Sequence, residues 1–174
     1  MERALRVFEI PPRQFLANPT DTRQTLYCVG AFIFTHTTPT RLLLIRRAAT
    51  ERAFPGLWEV PGGGAELTDA TLLDTVVREV AEETGLRVTE IVEFLEYLDF
   101  RGGTGRGWRK HNFIVEVEKG DVVTDPAEHD EFGWFEEEEA EKLRATTESM
   151  RKSITDAFKR AREIQAGEGK EDKQ

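Results

Sequence analysis

The chain is poor in several things, and each shortage narrows its reading. One cysteine, Cys28, occurs among 174 residues, so no intrachain disulfide forms. Cys28 lies in an apolar run and reads as a small core residue, and a reducing, cytoplasmic setting is the matching expectation. Long hydrophobic runs are missing too. The longest, residues 26–34, is interrupted at Gly30 and is far too short to span a bilayer. The opening MERALRVFEIPP lacks a sustained apolar stretch and a small-residue cleavage site, which argues against a secretory signal. Positive charge is in deficit: 24 Lys and Arg face 33 Asp and Glu, for a net −9. Duplex nucleic acid is therefore disfavoured as a partner. A phosphorylated small molecule would need a cation between itself and such a protein. What remains is 39% hydrophobic and 33% charged, apolar enough for one core of ordinary size.

Apolar spacing divides the chain. Val7, Phe8 and Ile10 offer a short edge strand within residues 1–10, stopped by Pro11-Pro12. Residues 26–35 are apolar on both alternating sides, Tyr27, Val29, Ala31 and Ile33 against Cys28, Phe32 and Phe34. That is the pattern of a strand covered on both faces. After a polar turn at 36–40, residues 41–47 predict a strand closing a hairpin with the first. A short strand at 58–60 follows, between Phe54-Pro55-Gly56 and Pro61-Gly62-Gly63-Gly64. Leu72, Leu73, Val76, Val77 and Val80 form a helical stripe within 70–84, ended by Gly85. Residues 89–100 and 108–118 read as long strands joined by RGGTGRG. A short strand at 131–135, an acidic helix at 136–144 and an amphipathic helix at 149–164 complete the order. The expected organisation is an N-terminal extension (1–20), one domain (21–148), a C-terminal helix packed on it (149–166) and a disordered tail (167–174). The class is α+β, with a mixed sheet between helices.

The chemistry concentrates in WEVPGGGAELTDATLLDTVVREVAEETGL, residues 58–86. Glu79, Glu82 and Glu83 stand at i, i+3 and i+4, within an arc of roughly 100° on one helix face. They border the apolar stripe. Like charges at i, i+4 and negative charge near a helix C-terminus are both unfavourable, which points to a compensating cation. Oxygen-only donors select Mg²⁺ or Mn²⁺. The glycine run before the helix lets backbone amides and carbonyls of Gly62 and Gly63 approach a ligand. Arg78, four residues before Glu82, is placed to hold that carboxylate.

This segment resembles the signature of the Nudix hydrolases, G-x5-E-x7-R-E-U-x-E-E-x-G-U with U aliphatic. Arg78, Glu79, Val80, Glu82, Glu83, Gly85 and Leu86 match its second half, and Trp58 to Gly63 match the usual W-E-x-P-G-G lead-in. The first half departs: Asp69 stands where the family prefers Glu, with one extra residue before Arg78. The resemblance covers roughly residues 24–145 and implies an α/β/α sandwich. It further implies hydrolysis of a nucleoside diphosphate linked to another moiety, by water attack on phosphorus assisted by divalent ions. Under it Glu79 and Glu83 are metal ligands, Glu82 is a ligand or the base, and the Gly63 carbonyl completes the shell.

Other residues carry weaker signals. Many family members place an acidic metal ligand or base near the position of Glu128-His129-Asp130-Glu131; Glu128 is the first choice and Glu131 the next, weighed against an exposed acidic turn. His129 reads as a loop or salt-bridge residue. One of Arg46 and Arg47, with Arg46 the choice, is a candidate for substrate phosphate, weighed against a strand-end surface charge. RGGTGRG joins two strands and opens no helix, so a phosphate-loop reading is rejected. Trp108, Lys110 and Phe54 are candidates for the specificity pocket; Trp58 and Trp134 read as core. The expected partner is a small-molecule diphosphate, and homodimerisation stays open. Two other functions stay open beside the hydrolase: a nucleotide-binding module of the same fold without turnover, and a hydrolase of a non-nucleotide diphosphate.

Overall fold

A computed structural model describes residues 5–9, 26–101 and 107–171. Its strands are β1 (Leu26–Ile33), β2 (Leu42–Arg47), β3 (Trp58–Glu59), β4 (Val88–Arg101), β5 (Gly107–Val117) and β6 (His129–Phe135). Its helices are α1 (Leu72–Thr84), α2 (Glu137–Ala140) and α3 (Glu148–Glu171). The strands form two three-stranded sheets, β1-β5-β4 and β3-β2-β6. In the first, β1 runs parallel to β5 and β4 antiparallel to it. In the second, β2 is flanked antiparallel by β3 and β6.

The two-sided burial of β1 follows from what covers it. Val29, Ala31 and Ile33 pack with Leu72, Val76 and Val80 of α1 and with Phe113 and Val115 of β5. Phe32 and Phe34 pack with Met150, Ile154, Ala157 and Phe158 of α3. Helices thus lie on both sides of a mixed sheet, as the element order requires. α1 starts where Thr71 accepts the N–H of Asp74 at 3.1 Å. It ends at Gly85, left-handed at φ 68°, whose N–H reaches Ala81 O at 3.0 Å.

Several expected elements are corrected. β1 and β2 do not form a hairpin: a single bridge, Phe34 to Leu42, links them, because β5 takes the edge of β1 in parallel and β6 takes that of β2. Residues 6–8 form a 3-10 turn instead of an edge strand, which tucks Phe8 against Phe94 and Phe113 with ring centroids 4.6 and 5.2 Å apart. Ile10 lies outside the described residues. α2 is shorter than 136–144; a capping box between Glu136 and Glu139 starts it. α3 continues past 164 to Glu171, into the segment expected as a disordered tail. Residues 102–106 of RGGTGRG and 172–174 lie outside the described residues. Among the described residues no helix is long and apolar enough to cross a membrane.

Candidate active site

The glycine run lies along β1 and positions everything around it. Ala31 N–H donates to Pro61 O at 2.8 Å, Val29 N–H to Gly63 O at 2.9 Å, and Ala65 N–H to Tyr27 O at 2.9 Å. At Gly62 (φ 148°) a Cβ would fall 2.2 Å from Val29 O, so only glycine fits. A Cβ on Gly63 would meet both carboxylate oxygens of Glu79 at 2.6 Å. The N–H of Gly62 donates to Glu83 Oε2 at 2.6 Å. Glu79 and Glu83, one turn apart on α1, are thus buried against the loop, while Glu82 between them stays exposed.

Arg78 ties this arrangement together with all five of its N–H groups. Nε donates to Asp69 Oδ1 (2.9 Å), and Nη2 to Asp69 Oδ2 (3.0 Å) and Gly64 O (2.9 Å). Nη1 donates to Glu79 Oε1 (2.8 Å) and Glu82 Oε2 (2.9 Å). Asp69 also accepts from Glu66 N–H at 2.9 Å and Thr75 Oγ1 at 2.8 Å. Burial opposes its ionisation, but Arg78 and these donors hold its pKa at about 2. The aspartate that departs from the usual pattern is therefore the main anchor of Arg78. Its hold on Glu82 was legible from the i, i+4 spacing; its hold on Asp69 and the loop was not.

Glu83 sits in a cluster that spacing does not reveal. Burial pushes its carboxyl up to about 8, against the opposing pull of His129 and the Gly62 amide. Glu79 is also raised, by burial first. His129, fully buried, places Nε2 3.7 Å from Glu83 and 3.8 Å from Glu59. Neither of its ring nitrogens finds a hydrogen-bond partner among the described residues. Burial favours neutral imidazole, yet Glu59 and Glu83 raise its pKa on balance. Glu128, exposed, completes a group with Glu83 and His129 whose ligand atoms lie within 4.8 Å of one another. Glu128 thus comes close to Glu83, whereas Glu131 pairs with Arg46 Nη1 at 2.6 Å. Glu59 itself is buried and takes Arg47 Nη1 at 2.8 Å. Glu59 had one visible signal, a carboxylate between Trp58 and Val60 in a strand otherwise fit for the core.

A cavity of about 360 Å³ opens beside the loop, bounded by Gly62, Gly63, Gly64, Glu59, Arg47 and Lys110, with Phe54, Phe100 and Trp108 as aromatic walls. The three expected pocket residues Phe54, Trp108 and Lys110 all line it. The two arginines part company. Arg47 reaches the cavity, whereas Arg46, on the opposite side of β2, lies over Trp58 and pairs with Asp130 at 2.8 Å. Strand alternation separates them. The box carboxylates flank the glycine loop instead of lining this cavity, and the Gly63 carbonyl already accepts the Val29 amide, leaving one lone pair.

Among the described residues, the ligand atoms gathered within 4.8 Å of one another are those of Glu83, Glu128 and His129, two carboxylates and an imidazole. Glu79 and Glu82 are not in that group; both are held by Arg78 Nη1. Carboxylate oxygens of this kind can hold a divalent ion and accept a proton from water.

The family model for the NUDIX domain matches residues 26–157. Over 71 residues the chain is 42% identical to the m7GpppN-mRNA hydrolase NUDT17 of Danio rerio, covering 41% of this chain and 23% of the relative. The chain thus spans under a quarter of that protein. The solved NUDIX domain of Shewanella oneidensis NrtR, complexed with ADP ribose, superposes with a TM-score of 0.68 at 23% identity, covering 86% of this chain and 97% of that one. A Caenorhabditis elegans Ap4A hydrolase binary complex superposes with a TM-score of 0.64 at 20% identity, covering 82% and 99%.

Proposed function

Because the chain belongs to the NUDIX family, we propose that it is a metal-dependent hydrolase that cleaves a diphosphate linkage, of a nucleoside diphosphate joined to another moiety, by water attack on phosphorus. The observation that carries this reading is the packing of Glu79 and Glu83 against Gly62 and Gly63, with Glu82 held beside them by Arg78. The relatives support it: a cap hydrolase, an Ap4A hydrolase and an ADP-ribose complex all carry nucleotide phosphoanhydrides in their names.

Glu79, Glu82, Glu83 and the Gly63 carbonyl are the residues that would hold Mg²⁺ or Mn²⁺, with Glu128 in reach. A bound divalent ion would neutralise the diphosphate and acidify the attacking water. The chain supplies the rest. Arg78 fixes the directions of Glu79 and Glu82, so neither must be ordered when substrate arrives. Gly62 and Gly63 bring backbone close to the phosphates. Glu82 or Glu128 takes the proton of the attacking water. Arg47 takes the substrate-side place that strand alternation denies Arg46. A cytoplasmic setting belongs to the same reading, consistent with the buried thiol of Cys28.

The test is a panel of diphosphate compounds with Mg²⁺ or Mn²⁺, scored for phosphate-containing products. Wild type should hydrolyse at least one, and EDTA should abolish the reaction. Glu82→Gln and Glu128→Gln are then compared at equal thermal stability; the base is the one whose loss costs about 10²–10⁴-fold in kcat. Binding of a nucleotide with no turnover of any compound would favour the binding module.

A further inference from the structure

His129 is a buried imidazole that the reaction described so far does not use. Its side chain is 2% exposed, and neither Nδ1 nor Nε2 has a hydrogen-bond partner among the described residues. A buried polar ring in that condition is costly and calls for an explanation. Its placement is set by the backbone. The N–H groups of Glu128 and His129 both donate to Asp125 O, at 3.0 and 2.7 Å, and Ala48 N–H donates to Glu128 O at 2.8 Å. The register of β6 on β2 then shifts between Arg46, opposite Glu131, and Arg47, opposite His129. Such an irregularity re-aims side chains. Asp130 and Glu131 pair with Arg46, while His129 turns into the protein beside Glu83.

Glu83 divides its oxygens between two neighbours. Oε2 accepts the Gly62 amide at 2.6 Å, and Oε1 lies 3.7 Å from His129 Nε2. That separation is too long for a hydrogen bond. Glu128 brings a third ligand atom, and the three lie within 4.8 Å of one another. Atoms bound to one ion at about 2.0–2.4 Å stand about 3–5 Å apart, so the group has the spacing of a shared ion. Glu59 Oε1, 3.8 Å from the same nitrogen, is engaged by Arg47 at 2.8 Å.

We propose that Glu83 Oε1, Glu128 and His129 form a mixed oxygen and nitrogen site for a first-row transition ion of the Mn²⁺ to Zn²⁺ series, with His129 a direct ligand. An imidazole nitrogen suits such ions, whereas Mg²⁺ takes oxygen donors and keeps several waters. The site shares Glu83 with the metal-dependent reading above and goes beyond it, because it selects the ion and binds it without turnover.

Pulsed electron paramagnetic resonance of the protein with equimolar Mn²⁺ and no other ligand tests this. Wild type should show the modulation of a directly bound imidazole nitrogen, and isotopically labelled histidine should alter it. His129→Gln should remove it. His36→Gln, at the exposed histidine paired with Glu116, should leave it. In calorimetric titrations with metal alone, His129→Gln should weaken Zn²⁺ by at least about tenfold and leave Mg²⁺ within about twofold. Thermal melts check folding. If His129→Gln is unstable, Glu128→Gln at the exposed ligand should weaken Zn²⁺ likewise, and labelled wild type reads the nitrogen with no substitution at all. Absence of nitrogen modulation in wild type, or its persistence in His129→Gln, overturns the site. Nitrogen ligation with no turnover of any diphosphate defeats the hydrolase reading and leaves the site standing; turnover in Mn²⁺ without nitrogen ligation does the reverse.

Discussion

The paired strands β1 and β5 present two faces that differ in kind. On the α1 side, Val29, Ala31, Ile33, Phe113 and Val115 belong to one buried hydrophobic cluster, with buried His111 opposite Val29. On the α3 side, the rows change along the strand: Phe32 with Ile114 is core, Gly30 with Asn112 is small and polar, and Cys28 with Lys110 borders the cavity. One face is built for packing throughout. The other gives up packing at one end, and that end holds the cleft. A strand covered on both sides can carry a site where its side chains shrink.

Experiments can break or sharpen this contrast. The largest effect belongs to the site end. Glu83→Gln should lower kcat/KM by about 10³-fold with no loss of thermal stability, because burial already disfavours the charged form; steady-state kinetics and a melt check both halves. Next comes the packed face. Phe113→Ala should cost about 3–5 kcal/mol of unfolding free energy, read in a denaturant titration, while KM of the remaining folded enzyme stays put. Arg78→Ala should follow at about 3 kcal/mol, because it strands the buried Asp69, and it should lower activity as well.

The pH dependence is smaller. Burial and then Arg109 hold His111 down at about 4, against an ordinary 6.5. The unfolded chain therefore takes up a proton first on acidification. The contribution of His111 is complete above pH 6.5 and is lost as pH falls toward 4. Melting temperatures should fall across that window, and His111→Gln should flatten the slope. Asp69, held at about 2 against 3.8, adds a second loss below the first. The smallest effect is Cys28→Ala at the open end, about 0.5–1 kcal/mol, measured by the same melts.

The helix and its carboxylates were legible because their information is local. The stripe Leu72–Leu73–Val76–Val77–Val80, the Gly85 stop and the Glu79, Glu82, Glu83 phase all lie within one segment. The strand partners were not, since β1 chooses β5 and β2 chooses β6 across long stretches of chain, and adjacency in sequence suggested a hairpin instead. The burial of Glu59 and His129, and the choice of Arg47 over Arg46, escaped for a related reason. A titratable residue acquires its role from what buries it, and burial is a property of the assembled layers. Arg46 and Arg47 are chemically identical; only the side of β2 on which each falls separates the surface pair with Asp130 from the cavity.

Arg78 leaves none of its donors idle, and this has a consequence for the segment between the glycines and the helix. Its partners Gly64, Asp69, Glu79 and Glu82 come from both ends of that segment, so a single side chain closes it into a clasped ring. A connection free to sample many shapes would have to be frozen each time a ligand settled on it. Here that freezing is completed once, during folding. A lysine in its place keeps the charge but cannot reproduce the planar fork, so the ring would reopen and every binding event would again carry the ordering of the loop.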